Sequence, residues 1–251
     1  MKQIPNLFTL LNLIFGCLAI VATLQNGIVI QYNAEGGQMV AIPEKIWLAS
    51  LFIGLAALVD FLDGFVARLF GAESEMGKQL DSLADVVSFG VAPSMIIYQF
   101  LRMSFASEAE GLNVSVLWLV PAFIMAAAAA YRLARFNLDS SQQYGFKGMP
   151  VPAAGILVAS LPLIYWNSAS ETIINLFLNK WFLYAMIALI SWLMVSKLPL
   201  MALKFKNFSL KDNLPKYILI ALAIVGFLLL KWAAIPLVIV AYIVLSLAFK
   251  K

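Results

Sequence analysis

Long apolar runs, interrupted by short polar connections, dominate the hydrophobic pattern of this chain. Eight such runs fall at about 6–25, 46–70, 79–102, 115–136, 150–166, 180–197, 215–230 and 232–249. Most are near the length of about 17 to 25 residues that a helix needs to cross a bilayer. In the first run Asn6, Thr9 and Asn12 recur every three residues, which puts them on one helical face. Residues 27–45 read differently: apolar and polar positions alternate around Gly36-Gly37, the pattern of a small hairpin on the outer surface. The predicted fold is all-α, a polytopic membrane bundle of about eight transmembrane helices forming one domain over 1–251. An even number of crossings puts both termini on the same side. The last two runs are separated by little more than Lys231, so they read as a tight hairpin or a re-entrant pair.

Composition agrees with the pattern. The chain is 63% hydrophobic and 12% charged, against about 45–50% apolar and 25% charged in soluble domains. This composition predicts an integral membrane protein. The lone Cys17 excludes an intrachain disulfide framework. No small-residue cleavage motif follows the first run, which therefore reads as a retained span. The net charge of +4 is modest and no stretch resembles a nucleic-acid-binding arm. Thirteen of the seventeen Lys and Arg residues fall on the side that carries both termini. The positive-inside rule makes that side cytoplasmic, and the expected location is the cell (inner) membrane. Trp47, Trp118, Trp166, Trp181 and Trp232 all fall at the opposite ends, as an aromatic belt would.

Against this background one stretch, Ala56 to Asp85, is unusual because it places Asp60, Asp63, Arg68, Asp81 and Asp85 in or beside apolar segments. A carboxylate at the centre of a spanning helix is disfavoured by roughly 2.5 to 3.5 kcal/mol, and intramembrane acids point to a functional site. At about 100° per residue, Asp60, Asp63, Gly64, Ala67 and Arg68 share one face. Gly77, Asp81 and Asp85 repeat every four residues on the next helix. Between them LFGAESEM carries a helix-ending Gly71 and enough polar residues to turn the chain. Two facing carboxylate pairs result. Four oxygen ligands in a chain without histidine suit Mg²⁺ or Mn²⁺. Gly64 and Gly77 let a bulky phosphorylated ligand approach the backbone, and Arg68 can fork onto a phosphate. A structural ion-pair cluster is the alternative, but only Arg68 and Lys78 lie near to balance four acids.

The pattern Asp60-x-x-Asp63-Gly64-x-x-Ala67-Arg68, eight residues, Gly77-x-x-x-Asp81-x-x-x-Asp85 resembles the full signature of the CDP-alcohol phosphatidyltransferases. FGVAPS (89–94), RLARFN (132–137) and FKGMPVPAAG (146–155) are similar to the phosphatidylserine synthase branch. The resemblance implies a six-helix core, here 1–197, with a basic loop and helix pair over 198–251. It implies transfer of a phosphatidyl group from CDP-diacylglycerol to L-serine with release of CMP, with Asp60, Asp63, Asp81 and Asp85 holding metal and Asp85 as base. It also implies a homodimer among membrane lipids. The family carries a PN-x-x-T element like Pro5, Asn6 and Thr9, so the expected CDP-diacylglycerol contacts are Asn6, Thr9, Asp60, Gly64, Ala67, Arg68 and Gly77. Polar helix contact is the other reading of Asn6 and Thr9.

For the acceptor, Arg132 and Arg135 are three apart on one helical face and Lys147 follows in the next loop, a cationic cluster suited to an amino-acid carboxylate or a lipid phosphate. Positive-inside anchoring explains the same residues equally well. Glycerol 3-phosphate or an inositol compound is an alternative acceptor within the same fold. An intramembrane prenyltransferase would leave Gly64, Ala67, Arg68 and Gly77 unexplained. A divalent-cation transporter would place its acids near the midplane.

Overall fold

The computed structural model describes residues 4–25, 29–32, 38–41, 45–71, 74–106, 113–139, 146–202 and 209–249. The chain runs α1 (Ile4–Leu24), β1 (Val29–Tyr32), β2 (Gln38–Ala41), α2 (Ile46–Leu69), α3 (Glu75–Asp85), a π-helical turn (Val86–Val91) and α4 (Ala92–Ala106). After two 3₁₀ turns come α5 (Ile124–Leu138), β3 (Phe146–Lys147), α6 (Val151–Asn167), α7 (Glu171–Phe177), α8 (Lys180–Val195), β4 (Pro199–Leu200), α9 (Leu210–Leu230) and α10 (Ala234–Ala248). Helix dominates, as the apolar runs predict, and the two ladders are short. β1 pairs with β2 in antiparallel register from Val29↔Ala41 to Tyr32↔Gln38, the hairpin expected from the alternation. Its predicted turn at Gly36-Gly37 lies outside the described residues.

Among the described residues, five stretches can cross a membrane by length and composition, or six if the bent pair α7–α8 counts as one. The protein is an integral membrane protein. Several elements differ in detail from their predicted runs. The third run extends back to Glu75 and on to Ala106, with the π-helical turn inside it. The sixth run is preceded by α7, bent by 65° from α8. That break has a local cause: Asn179 Oδ1 accepts from the amides of Trp181 (2.9 Å) and Phe182 (3.2 Å), starting α8 afresh. The apolar stretch Asn213–Ala248 doubles back on itself, because Lys231 takes φ 50°, ψ −125°. A Cβ on Gly226 would lie 3.3 Å from that of Ala234. In a straight helix eight residues span about 12 Å, so α9 and α10 form the tight hairpin.

The core is built around the π-helical turn. Pro93 has no N–H to offer the carbonyl one turn back, and the amide of Ala92 instead reaches the carbonyl of Val87. Three helices press against this widened turn through residues too small to keep it away. A Cβ on Gly16 of α1 would lie 2.8 Å from Ser88 Cα, and one on Gly155 of α6 would lie 2.9 Å from Phe89 Cβ. Gly90 itself would meet Ala129 of the alanine run in α5 at 3.1 Å. Phe89, Ile96, Ile97, Phe100 and Leu101 are fully buried here. Small-residue contacts of this kind let helix backbones approach closely where lipid supplies no hydrophobic drive. The stack fixes α3, and so its acids, against α1 and α2.

Candidate active site

α1 and α2 run antiparallel, so the polar face at the start of α1 meets the acids near the end of α2. The hydroxyl of Thr9 donates to Asp63 Oδ2 at 2.8 Å. One turn further along, Asn12 Nδ2 donates to Asp85 Oδ1 at 3.2 Å, and Ser88 Oγ donates to the Asn12 carbonyl at 2.9 Å. One stripe of α1 thus serves both acid-bearing helices. The start of α3 abuts the same stripe. Ser74 caps it by accepting from the Gly77 amide at 3.0 Å, and a Cβ on Gly77 would stand 3.1 Å from both Asn6 Oδ1 and Ser74 Oγ.

Oxygens of Asp60, Asp63 and Asp81 lie within 4.8 Å of one another. Asp63 is 7% exposed and Asp85 6%. Asp85 stands outside this group of three, one turn below Asp81 on α3, with Asn12 as its donor. None of the four carboxylates pairs with a Lys or Arg among the described residues, which removes the structural ion-pair alternative. Asp81 Oδ1 is buried without a hydrogen-bond partner. Converging hard oxygens with an orphaned lone pair and no ion-paired Lys or Arg fit a divalent metal. The cluster is therefore a candidate site for such an ion, the chemistry of the donor set leaving Mg²⁺ and Mn²⁺ equally suited.

Next to the acids is a cleft of about 480 Å³. Asn6, Thr9, Gly64, Ala67, Arg68 and Gly77 line it together with Asp63 and Asp81. Asp60 is the one expected donor-site residue that is not on its wall. A Cβ on Gly64 would come within 3.5 Å of Arg68 Nη1, so glycine there keeps the space in front of the guanidinium clear. The arrangement gathers carboxylates and a guanidinium around one cleft, the complement of a pyrophosphate with its counter-ion.

A family model described as CDP-alcohol phosphatidyltransferase matches residues 2–200. The chain belongs to the CDP-alcohol phosphatidyltransferase family. Curated relatives named CDP-diacylglycerol–serine O-phosphatidyltransferase are similar to it. The Helicobacter pylori protein is 34% identical over 221 residues, covering 86% of this chain and 77% of the relative. The Bacillus subtilis protein is 33% identical over 165 residues (66% and 78%). The Methanocaldococcus jannaschii protein is 40% identical over 106 residues (42% and 46%).

Within this CDP-alcohol phosphatidyltransferase the three cations expected at the acceptor end separate into different environments. Arg135 is committed to the fold: its Nη1 donates to the Val195 carbonyl at 2.9 Å and its Nη2 to that of Ser196 at 3.2 Å, closing the end of α8. Lys147 pairs with Asp139 at 2.8 Å on the surface. Arg132 alone is buried, 6% exposed, with Nε lacking a partner and its guanidinium 5.9 Å from the Phe136 ring.

Ser88 and Gly16 were not evident as site-supporting residues in the sequence. Asn12 stood on the right face, but only the fold shows it against Asp85. The i, i+3, i+7 spacing of Thr9, Asn12 and Gly16, which keeps one helical face, was the available signal.

Proposed function

We propose that this protein transfers the phosphatidyl group of CDP-diacylglycerol to the hydroxyl of L-serine, giving phosphatidylserine and CMP. The observation that carries this is the juxtaposition of three carboxylates within 4.8 Å and Arg68 around one cleft in a chain similar to three serine transferases. Asn6, Thr9, Gly64, Ala67 and Gly77 form the walls for the cytidine diphosphate part. Arg68 holds phosphate oxygens. Asp60, Asp63 and Asp81 hold a divalent cation, Mg²⁺ or Mn²⁺, with Asp85 adjacent; when bound, that ion offsets charge on the pyrophosphate and stabilises the phosphoryl transition state.

Serine hydroxyl is a poor nucleophile until it loses its proton. Asp85, buried and oriented by Asn12, accepts that proton as serine Oγ forms a bond to the lipid-side phosphorus. The bond from that phosphorus to the CMP oxygen breaks, and CMP leaves with the electron pair. Arg132, the free buried cation on Asp85's side, anchors the serine carboxylate. Arg135 and Lys147 shape its surroundings without touching it. Eight crossings follow if α6, the α7–α8 pair, α9 and α10 each span, with both termini and the cleft at the cytoplasmic face of the inner membrane, supported by the Lys and Arg bias. The exposed apolar face of α9, including Leu222, Leu228 and Leu229, faces lipid or the second copy of a homodimer.

The test is incubation of membranes containing the protein with CDP-diacylglycerol and labelled serine, glycerol 3-phosphate or inositol phosphate. Only serine is expected to be incorporated. Label transferred from another acceptor, or turnover independent of a cytidine donor, overturns the assignment. Asp85→Asn is expected to suppress turnover far more than CDP-lipid binding, and equal loss of both removes Asp85 as base.

A further inference from the structure

Lys78, in the first turns of α3, lines the same cleft as Arg68, Gly77 and Asp81. A lysine three residues before an aspartate stands next to it on a helix surface, and an ion pair is the ordinary outcome. Here none forms: among the described residues Lys78 pairs with no acid. Its ammonium instead donates to the backbone carbonyl of Asn137, near the end of α5, at 3.2 Å.

That contact belongs to a closed ring. Asn137 Nδ2 donates to Ser82 Oγ at 2.8 Å, and Ser82 Oγ donates to the Lys78 carbonyl at 3.2 Å. Lys78 is thus held at its ammonium and at its own backbone carbonyl, in both cases through Asn137, directly or by way of Ser82. An exposed lysine that served only to orient the chain in the bilayer would gain nothing from such a ring. Ordering a long side chain before a ligand arrives lowers the cost of binding that ligand.

The charges around the cleft indicate which ligand this cation serves. Asp63, Glu75 and Asp81 line it against Arg68 and Lys78, so acids outnumber cations before any anion enters. A diphosphate adds negative charge on each of two phosphoryl groups. Arg68 can meet one phosphate through a bidentate fork, and a lysine in the same cleft binds phosphate as a point charge. An ammonium has three N–H donors, so the one given to Asn137 leaves others for phosphate oxygens.

We propose that Lys78 is a second phosphate-binding residue of the donor cleft, a cation held by Asn137 and Ser82 so that it meets the diphosphate of the CDP-lipid together with Arg68. The proposal rests on the reading of this cleft as the donor site. It adds a residue from outside the eight signature positions, since the spacing Gly77-x-x-x-Asp81 leaves position 78 open.

The experiment uses the full chain in lipid nanodiscs, in buffer with Mg²⁺, and compares wild type with Lys78→Met, Lys78→Arg and Arg68→Met. It reads the Kd of CDP by calorimetry, the KM values for CDP-diacylglycerol and serine, and the unfolding temperature. Lys78→Met is expected to weaken CDP binding and raise the donor KM about tenfold, the lower end for a hydrogen bond to a charged group, with serine KM and unfolding temperature little changed. Lys78→Arg keeps the charge and is expected to retain most of the affinity. Added salt narrows the gap between wild type and Lys78→Met, because an exposed cation is screened. Three results each overturn the proposal: unchanged CDP binding and donor KM in Lys78→Met, equal losses in Lys78→Met and Lys78→Arg, or a lowered unfolding temperature with both KM values raised alike, which marks a clasp of α3 to α5 and nothing more. A raised donor KM in Arg68→Met then leaves the donor reading standing. An unchanged donor KM in both Arg68→Met and Lys78→Met overturns the donor reading and the proposal with it. Should Lys78→Met fail to fold, Lys78→Gln decides, because it keeps an N–H for Asn137 and lacks the charge: weakened CDP binding supports the proposal, and unchanged binding overturns it.

Discussion

Thr9 and Asp63, separated by 54 residues in the chain, are joined by a 2.8 Å hydrogen bond across the α1–α2 interface. The hydroxyl fixes the carboxylate's rotamer in a cluster whose oxygens, with those of Asp60 and Asp81, lie within 4.8 Å of one another. Hydrogen bonds to charged groups contribute about 1.5–3 kcal/mol, and 1.4 kcal/mol corresponds to a factor of about ten. Thr9→Val keeps the shape and removes the donor. It is expected to raise the Mg²⁺ or Mn²⁺ concentration needed for half-maximal activity by about 10- to 100-fold. Titration of activity with each metal measures this, and an unchanged half-maximal concentration rejects the coupling.

Chelation tests the cage as a whole. Treatment with EDTA is expected to abolish turnover, with recovery on adding Mg²⁺ or Mn²⁺. Asp81→Asn, which removes charge at the acid with the orphaned oxygen, is expected to prevent recovery at any practical metal concentration. Full activity in EDTA would show that the acids do something else.

Asn12 is fully buried and is Asp85's hydrogen-bond donor in the structure. Asn12→Leu fills nearly the same volume without the amide. If Asp85 takes the serine proton, losing its orientation is expected to lower kcat by about 10²-fold, the lower end of what general base catalysis contributes. CDP-diacylglycerol binding, measured directly, is expected to stay within a few-fold. A fall in binding as large as the fall in kcat would place Asn12 in the donor cleft instead.

How much of this was readable beforehand differs from residue to residue. The eight signature positions were legible because spacing of three and four on a helix is fixed by geometry, and because buried acids without nearby cations have few uses. The outer hairpin was legible from its alternation. The π-helical turn was not: its form depends on Gly16 and Gly155 arriving from other helices. Arg132 and Arg135 are equivalent on paper, and only the end of α8 decides which is consumed by the fold. The hydrogen bond of Tyr242 was invisible, one aromatic in an apolar run, because its partner carbonyl lies 41 residues away.

The glycine contacts at the π-helical turn carry a stability prediction. Gly155→Ala places a methyl group 2.9–3.0 Å from Phe89 Cβ and Cα, atoms that cannot swing aside. Overpacking of this kind costs about 1–3 kcal/mol, a fall in unfolding temperature of roughly 2–10 °C at this chain length. Gly54→Ala, where nothing lies within 4 Å, is the comparison and is expected to be neutral or stabilising. Thermal unfolding of both variants in the same detergent gives the answer, and equal melting temperatures would refute the close packing.

Arg135 and Arg132 should part company in the laboratory as they do in the fold. Arg135 donates two hydrogen bonds to carbonyls at the end of α8, carbonyls with no partner further along their own helix. Arg135→Gln leaves these groups under-satisfied in a half-buried place, at a cost of about 1–3 kcal/mol, and so is expected to lower the unfolding temperature by several degrees. Because its guanidinium is already occupied, the serine KM measured below the melting range is expected to change by less than threefold. Arg132→Gln removes a buried cation with an idle Nε. There the serine KM is expected to rise by about 10²-fold, the loss of a charge-assisted pair of about 3 kcal/mol, with little change in melting. The reverse assignment, a large KM effect at Arg135 and a melting effect at Arg132, would move the acceptor carboxylate from α5's buried face to the end of α8.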